Sequence, residues 1–452
     1  MRARLGFRPV AALALLALLL FACATPAGDT ARLTILHLND LHARFLPDEE
    51  GRGGFAHLAT AIAQEKARAK NAIVLMAGDL VQGTPVSSIY EGVPCYEVAS
   101  LLGIDVNTLG NHEFDYTWRK IAEFRKAATF PTISANVVNG RGELLAPPPY
   151  IILTRGGLRV AVIGVLTEYL DRLTKRYQRG EWKTAPVVDT VRRYARELRP
   201  KVDLIVVLAH LTDEEEDLLL AAVPEIDVII GGHNHRGQDA PKEVDGRLCV
   251  KVRAYGREMG RLDLWVDRNG GRIRQYQWAR IAITKDRFPP DPEVARAVEK
   301  WEKKVASLVD VPIARLPRAL DKEEMRRLIE AAMADAVGAD VAYMNRGGIR
   351  DTLPAGEVTV RDVWQALPFG NEIVYGKVRG RDVPRPAARG LEPDREYVLA
   401  TNDFIYEQWR KRYPIELPER GPLVREALIE YLKTHPRFGL PLRGAPSGSR
   451  AR

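Results

Sequence analysis

From Leu33 to about Thr284, short β-branched apolar runs alternate with longer segments patterned as helices. The runs Leu33–Leu38, Ala72–Met76, Arg159–Leu166, Leu204–Leu208 and Val228–Ile230 predict strands, and Gly54–Arg68, Cys95–Leu102, Tyr116–Ala127 and Val188–Leu198 predict helices. Strand–helix alternation of this kind argues for an α/β fold. Further on, Arg247–Val252, Arg261–Val266 and Ile273–Ile283 follow one another as strands, so the sheets must be mixed. Phe288-Pro-Pro-Asp-Pro292 then breaks the pattern, and the charged stretch Glu293–Leu308 predicts one helix connecting two domains. A second, smaller α/β domain is expected from Val311 to about Leu440, followed by a Gly/Ser/Arg/Pro-rich tail expected to be disordered.

The first residues have a different pattern. Met1–Val10 carries Arg2, Arg4 and Arg8 with no acid, and Ala11–Ala22 is an unbroken apolar run of twelve. Spanning a bilayer takes about 20 residues; a run of this length with a basic start fits an export signal. It ends in Leu20-Phe21-Ala22-Cys23, which resembles a bacterial lipoprotein box with an unusual Phe at its second position. The expected arrangement is a signal peptide over 1–22, a lipid on Cys23 and a tether over 23–30. The mature chain would be exported and anchored facing the periplasm or cell exterior.

Composition narrows the function. Among 452 residues, 67 Lys and Arg stand against 59 Asp and Glu, a net +8. These charges are scattered, without the basic run that a nucleic-acid partner would need. Three cysteines exclude a disulfide scaffold and a Cys-rich zinc module. Cys95 and Cys249 could pair or remain as two buried thiols.

The candidate chemistry gathers at the ends of the expected strands. Asn39-Asp40-Leu41-His42 follows the first and Gly78-Asp79 the second. Gly110-Asn111-His112-Glu113-Phe114-Asp115 lies just beyond Gly103–Thr108, His210 follows Leu204–Leu208, and Gly231-Gly232-His233-Asn234-His235 follows Val228–Ile230. A single histidine after a strand is ordinarily a satisfied loop or core residue. Here five of the eight histidines share that position, at the sheet edge where open α/β sheets bind ligands.

Imidazole, carboxylate and amide donors without thiolate suit Mn, Fe or Zn. There are more of them than one tetrahedral ion needs. Two divalent ions about 3.5–4 Å apart, bridged by a shared carboxylate, would use them all, activating a water and neutralising charge on a phosphoryl group. His112 is then left to donate a proton to the leaving oxygen, with Asp115 fixing its tautomer.

This motif series resembles the calcineurin-like metallophosphoesterases, and more narrowly their 5′-nucleotidase family, which includes UDP-sugar hydrolases and 2′,3′-cyclic-nucleotide phosphodiesterases. Gly54-Phe-Ala-His-Leu-Ala59 is similar to that family's first helix, and Asn345-Arg-Gly-Gly-Ile-Arg350 and Leu367-Pro-Phe-Gly370 are similar to its substrate-binding segments. The resemblance implies a four-layer αββα sandwich over 31–288, a connecting helix over 289–310 and a smaller α/β nucleotidase-like domain over 311–440, before a tail at 441–452. It implies Asp40, His42, Asp79 and His235 on one ion, and Asp79, Asn111, His210 and His233 on the other. It implies His112 and Asp115 as the catalytic pair, Asn345 and Arg350 as polar contacts to substrate, and Phe369 and Phe404 as rings around the base. The substrate implied is a small nucleotide or phosphate ester.

The chain also departs from that pattern. Asn402-Asp403-Phe404 runs on into Ile-Tyr-Glu-Gln-Trp-Arg410 where the family usually has a Gly-Gly-Asp-Gly segment. The stretch from Asp382 to Glu396 is short, and only Arg326 or Arg327 stands near the place where some members hold phosphate with arginine. The expected function is therefore hydrolysis of 5′-nucleotides, with a phosphodiesterase or general phosphatase acting on cyclic nucleotides or other envelope phosphate esters as the alternative. A non-catalytic envelope lipoprotein would be expected to have lost a ligand or His112, and none is missing.

Overall fold

A computed structural model describes residues 30–268 and 270–435. The expected signal peptide, the lipid site at Cys23 and the tail at 441–452 lie outside the described residues. Among the described residues no helix is long and apolar enough to cross a membrane.

Two six-stranded sheets pack face to face. The first runs in the order Ile273–Ala282, Glu258–Asp267, Thr30–Leu38, Ala72–Met76, Val106–Thr108, Thr132–Ile133. The second runs Lys242–Val244, Arg247–Val250, Val228–Gly231, Leu204–His210, Leu158–Leu166, Tyr150–Arg155. Parallel and antiparallel pairs occur in both, giving the mixed sheets expected.

Period-two alternation explains the layering. In the first strand Leu33 and Ile35 enter the core between the sheets, while Leu36 and Leu38 face the helices outside. In the strand 204–210, Leu204, Val206 and Leu208 face the first sheet, while Ile205, Val207 and Ala209 pack under the helices Val187–Leu198 and Asp213–Ala222. Helices therefore cover both outer faces, the four-layer sandwich that the resemblance implied.

Ala72–Met76 has the expected bounds, Thr30–Leu38, Leu204–His210 and Glu258–Asp267 run longer than expected, and Arg247–Val250 and Ile273–Ala282 end one or two residues early. One helix is clearly shorter. The expected Tyr116–Ala127 begins only at Lys120, because Thr117 takes a left-handed backbone (φ 74°) that turns the chain first. Cys95 and Cys249 are both buried and unpaired.

The stretch expected to connect two domains holds the helix Pro292–Val309, started by Pro292 and capped by Asp291, whose carboxylate accepts from the N–H groups of Glu293 and Val294. Val294, Val298, Val305 and Val309 pack it onto the sandwich. Beyond it, a four-stranded sheet in the order Val341–Tyr343, Glu396–Asn402, Glu372–Arg379, Glu419–Leu423 packs against the helices Lys322–Val337 and Val424–Thr434 around its own core. Ion pairs cross between the two halves: Arg44 to Asp351 at 3.0 Å and Lys175 to Asp403 at 2.7 Å.

Candidate active site

The first-sheet strands 30–38, 72–76 and 106–108 and the second-sheet strands 204–210 and 228–231 end on one edge, and their terminal residues converge there. Ligand atoms of Asp40, His42, Asp79 and His235 lie within 4.8 Å of one another, and so do those of Asp79, His210 and His233. Asp79 belongs to both groups. His42 Nε2 is 3.0 Å from His235 Nε2, and His233 Nδ1 is 3.2 Å from His210 Nε2.

Backbone geometry aims these side chains. Asp40, His42, Asp79, His233 and His235 all have positive φ, between 48° and 75°. Left-handed backbone at a non-glycine residue costs on the order of 1 kcal/mol or more, so five such residues mark a site held by its surroundings. Glycines make the approach possible. A Cβ on Gly110 would lie 2.1 Å from Asp79 Oδ1, and one on Gly232 would lie 2.7 Å from the Ala77 carbonyl. Buried Glu113 accepts from the N–H groups of Asp79 (3.1 Å), Leu80 (2.9 Å) and Gly110 (2.7 Å), locking two of the strand ends together. Burial, then the charge on Asp79, push the Glu113 carboxyl up to about 7.

The donors fit a pair of divalent ions. They are nitrogen and oxygen atoms without thiolate, and Asn111 Oδ1 is buried without a hydrogen-bond partner. His210 donates Nδ1–H to the Ala77 carbonyl at 2.8 Å, which turns Nε2 toward Asp79 Oδ2 at 3.1 Å. Burial opposes charge on His210, but Asp79 outweighs it and lifts the imidazole to about 10. An ion bound there would take the place of that proton. Burial and then His210 push His233 down to about 4, leaving it neutral and able to ligate.

His112 stands beside the cluster. Its Nδ1 is 2.8 Å from Asp115 Oδ2, and its Nε2 is 4.0 Å from Asp79 Oδ2. Burial opposes its protonation, but the charges of Asp115 and Asp79 prevail and raise it above the ordinary histidine value. The ring of Phe369 lies over that of His112, with centroids 5.7 Å apart.

A cavity of about 290 Å³ joins this edge to the smaller half of the chain. Asp79, Asn111, His112, Asp115, His233 and His235 line one side. Asn345, Arg350, Phe369 and Phe404 line the other. Arg350 Nη2 reaches within 3.4 Å of Nε2 of both His42 and His235. Asn345 Oδ1 accepts from Asn402 at 3.1 Å. Arg326 and Arg327 are elsewhere, paired with Glu323 and Glu330 along their own helix.

Sequence reasoning missed Gln82, Lys175, Tyr177 and Gln178, which line the same cavity from the sandwich side. Gln82 carries a signal in retrospect, since it lies between the Gly78-Asp79 motif and a second glycine. The segment Leu173–Gln178 carries none. The residues that take the place of Gly-Gly-Asp-Gly form a helix start: Asn402 caps the helix Asp403–Trp409, and Asp403 pairs with Lys175.

Comparison with known proteins accords with this geometry. Residues 33–237 match the family model of calcineurin-like phosphoesterases, and residues 305–385 match that of the 5′-nucleotidase C-terminal domain. The chain carries a calcineurin-like phosphoesterase domain followed by a 5′-nucleotidase C-terminal domain. Such phosphoesterases use a dinuclear divalent metal site, so the chain is a metal-dependent hydrolase of phosphoester bonds. It is 28% identical to protein UshA of Yersinia enterocolitica over 431 residues, covering 81% of this chain and 77% of the relative. A 5′-nucleotidase precursor from Thermus thermophilus superposes with a TM-score of 0.83 at 26% identity, over 92% of this chain and 98% of its own. The sulfate thiohydrolase SoxB of the same organism shares the fold (TM-score 0.79, 18% identity, 93% of this chain and 97% of that one).

Proposed function

We propose that the protein releases phosphate from 5′-nucleotides. The observation that carries this reading is the single cavity in which Asp79, Asn111 and His112 face Asn345, Arg350, Phe369 and Phe404. Asp40, His42, Asp79 and His235 hold one divalent ion, and Asp79, Asn111, His210 and His233 hold the second. When bound, the two ions supply an activated water and charge neutralisation at the phosphoryl group.

The chain's own residues do the rest. Arg350, whose guanidinium reaches the imidazoles of His42 and His235, donates to a phosphoryl oxygen and holds the group at the metal edge. His112 delivers the proton from Nε2 to the leaving ribose oxygen, while Asp115 keeps the other proton on Nδ1. Phe404 and Phe369 take the base between them, and Phe369 also covers His112. Asn345, oriented by Asn402, keeps its Nδ2 for a polar atom of the substrate. The same reading divides the chain into 31–288, 289–310 and 311–440. It also has the chain exported by its first 22 residues and anchored through a lipid on Cys23, a point that a Cys23→Ser variant tests by its loss from the membrane fraction.

Turnover by the Mn-loaded mature protein tests the substrate, read as phosphate released from 5′-AMP, as nucleoside monophosphate formed from UDP-glucose and from a 2′,3′-cyclic nucleotide, and as nitrophenol released from a nitrophenyl diester. Turnover of 5′-AMP abolished in Phe404→Ala supports the nucleotidase reading. Turnover of the diester alone would replace it with the phosphodiesterase.

A further inference from the structure

His233 and His235 belong to different ligand groups, although a single residue, Asn234, separates them. Facing opposite ions from one short loop requires the turn between them to be fixed. The front of the loop is fixed by Asp40, whose carboxylate oxygens accept from His233 N–H at 3.1 and 3.0 Å. Packing does not fix the back, because a cavity of about 330 Å³ opens there, lined by Asn234, Asp213, Lys251 and Arg236 among others.

A polar network spans that cavity's wall instead. Asn234 Nδ2 donates to Asp213 Oδ1 at 2.7 Å, and Asn234 Oδ1 accepts from the N–H of Arg236 at 3.0 Å, closing an Asx turn over His235. Asp213 is held by Lys251, whose ammonium contacts Asp213 Oδ1 and Glu216 Oε2 at 2.5 Å each. Lys251 and Glu216 are almost wholly buried. Glu216 also lies against the strand end that feeds the loop, since a Cβ on Gly231 would come 2.2 Å from its Oε1.

We propose that Asn234, anchored by the Asp213–Lys251–Glu216 cluster, is a positioning residue that presents His233 and His235 to the two metal ions together. This inference rests on the dinuclear reading of the site. Its consequence differs from that of a stability network: loss of the Asn234 amide weakens both ions at once, while the metal-free fold stays intact. Groups that orient ligands from behind are typically worth about 10–100-fold in metal affinity.

The test is calorimetric titration of the metal-free mature protein with Mn²⁺, alongside its melting temperature. Asn234→Ala is expected to weaken both binding steps by about tenfold or more, with unchanged melting of the metal-free form. Asn234→Ser, whose hydroxyl can still donate to Asp213 and accept from the loop, is expected to recover part of the loss. Lys242→Ala, which removes a surface cation from the same cavity, is expected to bind as wild type does. Unchanged Mn²⁺ affinity in Asn234→Ala, a loss confined to one step, or a loss matched by lower melting of the metal-free form would overturn the inference. Wild type that takes up no Mn²⁺ would instead overturn the dinuclear reading, and the inference with it.

Discussion

Lys175 Nζ lies 2.7 Å from Asp403 Oδ2, joining residues 228 positions apart across the two halves of the chain. Their side chains are 5% and 16% exposed, so the pair is shielded from water. A hydrogen bond between charged groups contributes about 1.5–3 kcal/mol, and leaving one partner unpaired costs at least as much. Lys175→Met is therefore expected to raise KM for 5′-AMP by roughly 10–100-fold, by opening the cavity between the halves. Adding Asp403→Leu should recover part of the loss, which a double-mutant cycle on kcat/KM measures.

His112 is placed to act on the leaving group and lies outside both metal-ligand groups. His112→Ala is expected to lower kcat by about 10²–10⁴-fold while Mn content stays at two per chain. Asp115→Asn should cost less, because the imidazole remains but loses the carboxylate that raises its pKa. A general acid works only below its pKa, so the alkaline fall in kcat/KM should begin at lower pH in that variant. Loss of both ions from His112→Ala, measured by elemental analysis, would show it to be a ligand instead.

Asp79 stands in both ligand groups, 3.7 Å from His42 and 3.1 Å from His210. Asp79→Asn is thus expected to lose both ions rather than one. Chelation of the wild type should abolish activity and lower the melting temperature by about 5–10 °C, the effect of removing a ligand present at 100 times its Kd. Excess Mn²⁺ should restore both.

Away from the site, Asp48 holds the turn before the first helix. Its carboxylate accepts from the Arg52 N–H and from the Arg52 and Arg257 side chains. Burial favours its neutral form, but these donors outweigh burial and keep its pKa below the ordinary aspartate value. A depressed carboxyl stabilises the fold above the unfolded value of about 3.9 and loses that contribution as pH falls through the folded value. Asp48→Asn should therefore cost on the order of 1 kcal/mol at neutral pH. The gap from wild type should narrow as pH falls below about 5 and on through the depressed folded value, as denaturant melts would show.

Much of this was legible in the chain because buried strands and their ends follow local rules. Strands such as Ala72–Met76 announce themselves by composition, and a polar residue directly after such a run must lie at a sheet edge. That logic located Asp40, Asp79, His210, His233 and His235 without tertiary information. It could not locate Lys175 or Tyr177, whose segment has no periodicity and whose importance comes from a contact 228 residues away. Nor could it see that Asp403 starts a helix and pairs across the cavity, because a missing motif does not say what replaces it. The late start of the helix at Lys120 was hidden for a similar reason: nothing in the name of Thr117 marks a left-handed turn.

The strand Thr30–Leu38 carries Asp40 and His42 beyond its end, yet one of its neighbours in the sheet is Glu258–Asp267. That pairing cannot form until more than half the polypeptide has been made. Non-local pairing of this sort slows folding. A nascent chain would therefore leave its early segments waiting for their partner, and the first sheet, with the metal edge it carries, could not be completed before that strand has been made. Truncations ending before residue 258 should leave the first strand open at one edge, inviting another chain to occupy it.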